Sequence, residues 1–334
     1  MKPAEKSRIG KTNLFVTKLG LGGAPFGGLH EDVQRTQVVQ SILGALDLGI
    51  GYLDTAPLYG GGKSESFFGE ALKGIVRSDY VISTKVGRIL EADFSKNSDE
   101  SLNSFVNIPN VHSIYDYSKD GILRSLEDSL QRLNLDYVDI ALIHDADNHM
   151  DQALRESLPA LEKLRSDGVV KAIGCGMNNV GPLIQFAKNG DFDVFLLAGR
   201  YTLLDQSGFE TLMPLCLEKG ISIVLGGPYN SGLLAADLSD PSVSTKYFYE
   251  DTPPAVLSKA RSMKAVCDRY SIPLKAVALQ FGFGHPSVAS IIPGARTLDE
   301  VIENFNMAQI PIPSDLWLEF VEQNLIPKDV PFPI

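Results

Sequence analysis

The chain has 334 residues, 44% hydrophobic and 21% charged, which is enough for one large domain or two ordinary ones. Its 41 acidic residues against 30 basic ones leave a formal charge of −11, which argues against nucleic acid as the main partner, because gripping phosphate backbones takes a basic surface. Three cysteines (Cys175, Cys216, Cys267) cannot form a disulfide framework, and none are spaced as a metal or redox motif, so reduced, mostly buried thiols and no metal site are expected.

The opening stretch MKPAEKSRIGKTN is charged and lacks the apolar region of a signal peptide. No apolar run reaches the length of a bilayer span. A cytoplasmic protein without a membrane partner is expected. Next, RIGKTNLFVTKLGLGG reads as a short hairpin leading into a strand. A rhythm then begins, with apolar runs at 19–23, 52–56, 80–87, 138–145, 172–177, 192–199, 221–228 and 288–294. Most are continuous rather than alternating, as strands covered on both faces are. Helical patterns lie between them: QVVQSILGALDLG, DGILRSLEDSLQRLN, LRESLPALEKLRSDG, FETLMPLCLEKG and, after the last strand, EVIENFNMA. Two of these close on glycine after a basic residue, a helix-stop signal.

Strand alternating with helix predicts parallel strands joined by helical crossovers. Eight such units predict a closed (β/α)8 TIM barrel, preceded by the hairpin. The competing doubly wound sheet lacks its fingerprint, since Pro25 stands in GLGGAP where the third glycine of a dinucleotide loop belongs. No linker rich in Pro, Ser or Gly interrupts the chain, so residues 1–334 are read as one domain. Two connections, 88–117 and 229–254, are too long for simple turns and follow the third and seventh strands. They carry Tyr115, Tyr117, Tyr229, Tyr247, Phe248 and Tyr249, which either line a pocket mouth or pack the loops onto the rim.

Residues 52–72, YLDTAPLYGGGKSESFFGEAL, offer a false lead. Gly62-Lys63-Ser64 fits the tail of a phosphate-binding P-loop, but Pro57 occupies the first glycine's place and has no N–H to donate. The stretch makes more sense in the barrel, whose site is built from the carboxyl ends of its strands. Asp54 ends the second strand and Tyr59 lies just beyond it; Lys85 is near the end of the third; His144 and Asp145 end the fourth. Each has an ordinary explanation: a structural Asp54–Lys85 ion pair, a capping Asp54, a core histidine, a loop tyrosine. Together they suggest chemistry. A tyrosine has a pKa of about 10 and is scarcely ionised at neutral pH. A cation beside it, held by a carboxylate, tunes it toward neutrality. Such general acid–base help is worth roughly 10²–10⁴ in rate, which leaves a redox cofactor to supply the rest.

The runs LDTAPLYGGGKSESFFGEAL, STKVG, LDYVDIALIHD, ALEKLRSDGVVKAIG and IPGARTLDEVIENF resemble the aldo-keto reductase superfamily over nearly the whole chain. The resemblance implies a barrel that binds NAD(H) or NADP(H) without a Rossmann fold. It makes Tyr59 the proton donor and acceptor, Lys85 and Asp54 the pair that tunes it, and His144 the residue that orients the substrate oxygen. It places the cofactor along Gly23, Asn178, Gly226, Pro228, Ser231, Gly232, Pro293, Gly294, Ala295, Glu300, Glu303 and Asn304. There are departures: Gly176-Met177 stand where many members have Ser-Asn, Ala198 where many have Gln, and Gly226 where a tyrosine stacks on the nicotinamide.

At the adenine end, NADP-dependent members carry basic residues and serine where this chain has Gly294, Ala295 and Glu300. A carboxylate repels a 2′-phosphate and accepts a hydrogen bond from a ribose hydroxyl, so NAD is expected over NADP. Thr297 and Glu300 also fit a helix capping box, and Arg296 is a cation that could still meet a phosphate. Within the superfamily the chain is most similar to NAD-linked sugar dehydrogenases, which implies oxidation of C1 of an aldose of the L-fucose, L-galactose or D-arabinose kind to a lactone. The alternatives are oxidation of pyridoxal, an NADPH-dependent reductase of aldehydes or ketones, and a non-catalytic nucleotide sensor. A Schiff-base lyase using Lys85 is disfavoured, because a charged, paired lysine is a poor nucleophile. The expected partner is a small sugar or aldehyde.

Overall fold

The chain opens as predicted with an antiparallel hairpin, β1 (Lys6–Arg8) and β2 (Phe15–Thr17). Three strands follow in one sheet, β3 (Gly20–Gly22), β4 (Tyr52–Asp54) and β5 (Val81–Val86). The long connection after β5 holds an antiparallel ribbon, β6 (Arg88–Glu91) with β7 (His112–Tyr115). The sheet resumes with β8 (Ile140–His144), β9 (Ala172–Met177), β10 (Val194–Ala198) and β11 (Ser222–Gly226). A two-residue ribbon, β12 (Lys246–Tyr247) and β13 (Glu250–Asp251), decorates the other long loop, and β14 (Val288–Ile292) completes the sheet. This computed structural model describes residues 1–92, 100–240, 242–248 and 250–333.

The eight sheet strands pair in the order β3-β4-β5-β8-β9-β10-β11-β14, every pair parallel. The ends meet through parallel bridges Leu19↔Ile291 and Gly22↔Gly294, and Gly22 donates its N–H to the Pro293 carbonyl at 3.0 Å. The result is the predicted (β/α)8 barrel. Around it lie α1 (Arg35–Asp47), α2 (Lys63–Ala71), α3 (Lys119–Leu133), a single turn α4 (Met150–Gln152), α5 (Leu158–Ser166), α6 (Val180–Asn189), α7 (Leu212–Lys219), α8 (Pro254–Arg269), α9 (Leu274–Phe281), α10 (Leu298–Gln309) and α11 (Ser314–Glu322). A π-helical turn, Ala153–Ser157, joins α4 to α5. No helix among the described residues is long and apolar enough to cross a membrane.

The strand period of two sorts side chains onto the two sides of the wall. One set (Tyr52, Ile140, Leu142, Ala172, Val194, Leu196) fills the cylinder together with Ile9, Leu14 and Val16 of the hairpin, which plugs the amino-terminal end. The alternate set, including Leu53, Ile82, Ala141, Ile143 and Phe195, packs outward under the helices. Continuing the inward parity to the carboxyl ends brings Asp54, Lys85, His144, Gly176, Ala198 and Gly226 onto one rim.

The opposite end is tied by a buried carboxylate. Asp139, just before β8, accepts from Arg77 Nη2 at 2.6 Å, the Ile82 N–H at 2.9 Å and Lys171 Nζ at 2.7 Å. Both of its oxygens are engaged, and three elements are joined there.

Candidate active site

Three of the predicted residues reach the rim on strands, and the fourth reaches it through a turn. Gly60, Gly61 and Gly62 all have positive φ (68°, 62° and 85°), which glycine alone adopts readily. A Cβ on Gly60 would lie 2.2 Å from the Gly27 carbonyl oxygen. This run folds the chain sharply from Tyr59 into α2, which explains the glycines without a phosphate. Lys85 Nζ then meets Tyr59 OH at 2.9 Å, Asp54 Oδ2 at 2.8 Å and the Thr55 carbonyl at 3.0 Å. Asp54 Oδ1 accepts from Ser83 Oγ at 2.7 Å, which lies 3.1 Å from Tyr52 OH. Burial alone would push the Lys85 ammonium toward neutrality, but the Asp54 charge and the bonds to Asp54 and Tyr59 outweigh it and raise its pKa.

His144 stands edge-on to Tyr59, ring centroids 6.1 Å apart at 88°. Its Nδ1 is sealed in the wall without a hydrogen-bond partner among the described residues, which leaves Nε2 as the nitrogen turned to the mouth. Burial first, then the nearby charges of Arg88 and Lys85, hold its pKa well below the ordinary value, so the ring is neutral. Nε2 lies 3.5 Å from Asp145 Oδ2, and that oxygen accepts from Arg88 Nη2 at 2.7 Å. The Arg88 guanidinium sits over the Tyr115 ring at 4.7 Å. The sequence placed Asp145 at the rim without a role and left Arg88 unremarked; a cation following the buried Lys85 by three residues was the available signal.

The aromatic residues of the long loops divide. Tyr115 is exposed at the rim; Tyr247 and Phe248 are half-buried, with Phe248 lying against Gly199 and under the Arg200 guanidinium at 3.9 Å. Tyr117 and Tyr229 instead pack inside. The Tyr117 hydroxyl donates to the His144 carbonyl at 2.5 Å and the Asp145 carbonyl at 3.0 Å, and the Tyr229 hydroxyl donates to Asn304 Oδ1 at 2.7 Å. Tyr249 lies outside the described residues.

The predicted cofactor residues form an arc on the other half of the rim. Gly23 is buried, its N–H already bonded to the Asp54 carbonyl at 2.8 Å. Asn178 is exposed, its carbonyl bound by Arg200 Nε at 2.8 Å. Pro228 is buried, while Ser231 and Gly232 are exposed. Pro293 and Ala295 are buried at the barrel seam and Gly294 is exposed beside Pro25. The Tyr229–Asn304 bond ties the loop after β11 to α10, and Asn304 Nδ2 reaches the Gly294 carbonyl at 3.5 Å. Glu303 pairs with Lys275. Thr297 caps α10 by accepting the Glu300 N–H at 3.2 Å, and Glu300 Oε2 accepts the Arg296 N–H at 2.7 Å. The return bond thus falls one residue earlier than in a standard capping box.

The sequence model of the aldo/keto reductase family matches residues 18–323. The chain belongs to the aldo/keto reductase family. It is similar to pyridoxal 4-dehydrogenase of Microbacterium luteolum, 35% identical and covering 98% of this chain and 99% of that one. It is equally similar to D-threo-aldose 1-dehydrogenase of a Pseudomonas species, 35% identical over 94% of this chain and 96% of that one. Among solved structures, an aldo-keto reductase of Bacillus halodurans in its holo form superposes with a TM-score of 0.76 at 28% identity, covering 98% and 97% of the two chains. This aldo/keto reductase is therefore an oxidoreductase, of a family that uses nicotinamide cofactors.

Its mouth fits such a group. Ala198 and Gly226 face inward on adjacent strands with almost no side chain, while Gly176, in register with His144, makes room for the Lys85 stem: a Cβ there would lie 3.4 Å from Lys85 Cε. Past them, Asn230, Ser231 and Gly232 have φ of 48°, 59° and 93°, and the Asn230 N–H is bonded to the Gly227 carbonyl at 3.0 Å. The Asn230 amide is buried there with neither polar atom partnered among the described residues, and a Cβ on Gly232 would meet nothing within 4 Å.

Proposed function

We propose that this aldo/keto reductase is an NAD-dependent dehydrogenase that oxidises C1 of an aldose to the lactone. The observation that carries the reading is the continuous chain Asp54–Lys85–Tyr59, with contacts of 2.8 and 2.9 Å, opening beside a neutral His144. Tyr59 is the general base: it takes the proton of the anomeric hydroxyl, and the adjacent Lys85 ammonium stabilises the negative charge on the phenol oxygen. Asp54 keeps that ammonium charged and aimed. His144 holds the substrate oxygen through Nε2. The nicotinamide, when bound, supplies the acceptor for the C1 hydride.

Two carboxylates support NAD over NADP. Glu300 is drawn to the Arg296 N–H, and the Arg296 guanidinium faces Glu31 Oε2 at 3.5 Å. The cation that could have met a 2′-phosphate is therefore flanked by negative charge. A second reading, oxidation of pyridoxal through its cyclic hemiacetal, has equal support from the relatives at 35% identity. Following NADH absorbance with NAD or NADP, a panel of aldoses and pyridoxal separates these. We expect turnover with NAD and an aldose; no rate with any aldose removes the first reading, and tight NADPH binding removes the cofactor assignment.

A further inference from the structure

Asp145 is held more firmly than a rim residue needs to be. It sits in the left-handed region at φ 46°, a conformation that costs a non-glycine residue energy unless its surroundings fix it. Three bonds do so. Its N–H donates to the Gly176 carbonyl at 3.1 Å, its carbonyl accepts from Tyr117 OH at 3.0 Å, and Oδ2 accepts from Arg88 Nη2 at 2.7 Å. Tyr117 is itself fixed, its carbonyl accepting from Ser157 Oγ at 2.6 Å, and a Cβ on Gly87 would come within 2.5 Å of its ring. The Arg88 side chain is 5% exposed and that of Asp145 is 28% exposed, so the carboxylate is the open end of the pair. Its Oδ1 accepts no hydrogen bond among the described residues, unlike Asp139, whose two oxygens are both engaged.

This open oxygen belongs to a carboxyl group 3.5 Å from His144 Nε2, beside the place where the reacting oxygen is held. In an aldose, the hydroxyl on the carbon next to the reacting one lies within a hydrogen bond's length of that oxygen. We propose that Asp145, braced by Arg88, is a specificity-determining residue that accepts a hydrogen bond from this neighbouring hydroxyl, so that the site selects substrates hydroxylated next to the reacting carbon. The assignment rests on the dehydrogenase reading above and refines it.

The test compares an aldose with its 2-deoxy counterpart in wild type, Asp145→Asn and Asp145→Ala. In Asp145→Asn, Arg88 claims the amide oxygen and leaves an NH₂ donor facing the substrate where an acceptor is needed. Wild type is expected to prefer the aldose in kcat/KM by about 10- to 100-fold, the range for a hydrogen bond to a charged group. Both variants should bring the ratio near one by losing activity on the aldose and little on the deoxy sugar. Calorimetric titration of the two sugars with NAD present should show the same change in relative affinity. Equal loss on both substrates, or an unchanged ratio, overturns the proposal and leaves Asp145 a structural group.

A second pair, glycolaldehyde and acetaldehyde followed in the reducing direction, keeps the two readings separable. If wild type oxidises no aldose, the dehydrogenase reading fails alone, and a glycolaldehyde preference lost in Asp145→Asn still supports the selective role. No such preference in wild type overturns it. Thermal melts establish that the variants are folded.

Discussion

The barrel holds a buried carboxylate–cation cluster at each end, and the two differ in what they leave over. At the amino-terminal end Asp139 accepts from Arg77, Lys171 and the Ile82 N–H, and the cluster lies at the end of the barrel away from the rim residues. At the carboxyl end Asp54 holds Lys85, but Lys85 has a further donor directed at a tyrosine hydroxyl, and the adjoining histidine turns Nε2 to the mouth. A cluster that joins only main chain and counter-ions ties elements together. One that ends on a tyrosine hydroxyl at the mouth holds a charge ready for a group that comes and goes. The distinction lies in what the cation meets rather than in burial, since Asp139 is 0% exposed and Asp54 1%.

Mutations can break that comparison. The largest effect is expected from Tyr59→Phe, which removes the proton acceptor and leaves the packing: turnover should fall by about 10²–10⁴ with the melting temperature nearly unchanged. Lys85→Met should lower turnover and also strand the Asp54 carboxylate, at a cost in stability of about 3–5 kcal/mol by denaturant titration. Asp139→Ala is the control at the other end. It leaves an unpaired Ile82 N–H and two unmatched cations, and should cost about 3 kcal/mol while kcat per folded molecule stays at the wild-type value. A matching fall in kcat would erase the distinction between the clusters.

His144 sharpens it through pH. Its native pKa is depressed, by burial and then by Arg88 and Lys85, so the pH–rate profile should show no imidazole inflection near the ordinary value of about 6.5. The unfolded chain does take up that proton near pH 6.5, roughly, so stability is complete above it and falls as the pH drops below, by at most about 1.4 kcal/mol per pH unit from this residue. His144→Asn should make the acid limb of a stability curve shallower. The smallest effect is expected at the adenine end. Glu31→Gln frees the half-exposed Arg296, and discrimination against NADP should weaken only about two- to fivefold, as befits an exposed ion pair.

Much of the barrel and of the rim was legible because strands obey a period of two. Asp54 and Lys85 lie on adjacent strands with the same inward parity as Tyr52 and Ser83, so their meeting follows from the pattern. Asp145 was placed at the rim, but its pairing with Arg88 was not legible, for the opposite reason. Gly87 at φ 95° and Asp145 at φ 46° both leave the pleat, and beyond such a residue parity no longer says where a side chain points. The ribbon of β6 and β7 was read only as a long loop, since its pairing is local to that loop and has no helical or strand rhythm of its own. Tyr117 and Tyr229 were open between lining and packing because their hydroxyl partners, two main-chain carbonyls and Asn304, come from distant parts of the chain. Gly176, Ala198 and Gly226 looked like three separate departures from a motif. On neighbouring strands they share one face of the rim, with the Lys85 stem against Gly176.

The stopper made by Ile9, Leu14 and Val16 has a kinetic consequence. Together with the side chains packed above it, it leaves the rim as the single face of approach, so coenzyme and sugar use it in turn, and whichever lies deeper enters first and departs last. Product-inhibition patterns should therefore follow a compulsory order, and a random order would mean that the doorway is wider than the two molecules together.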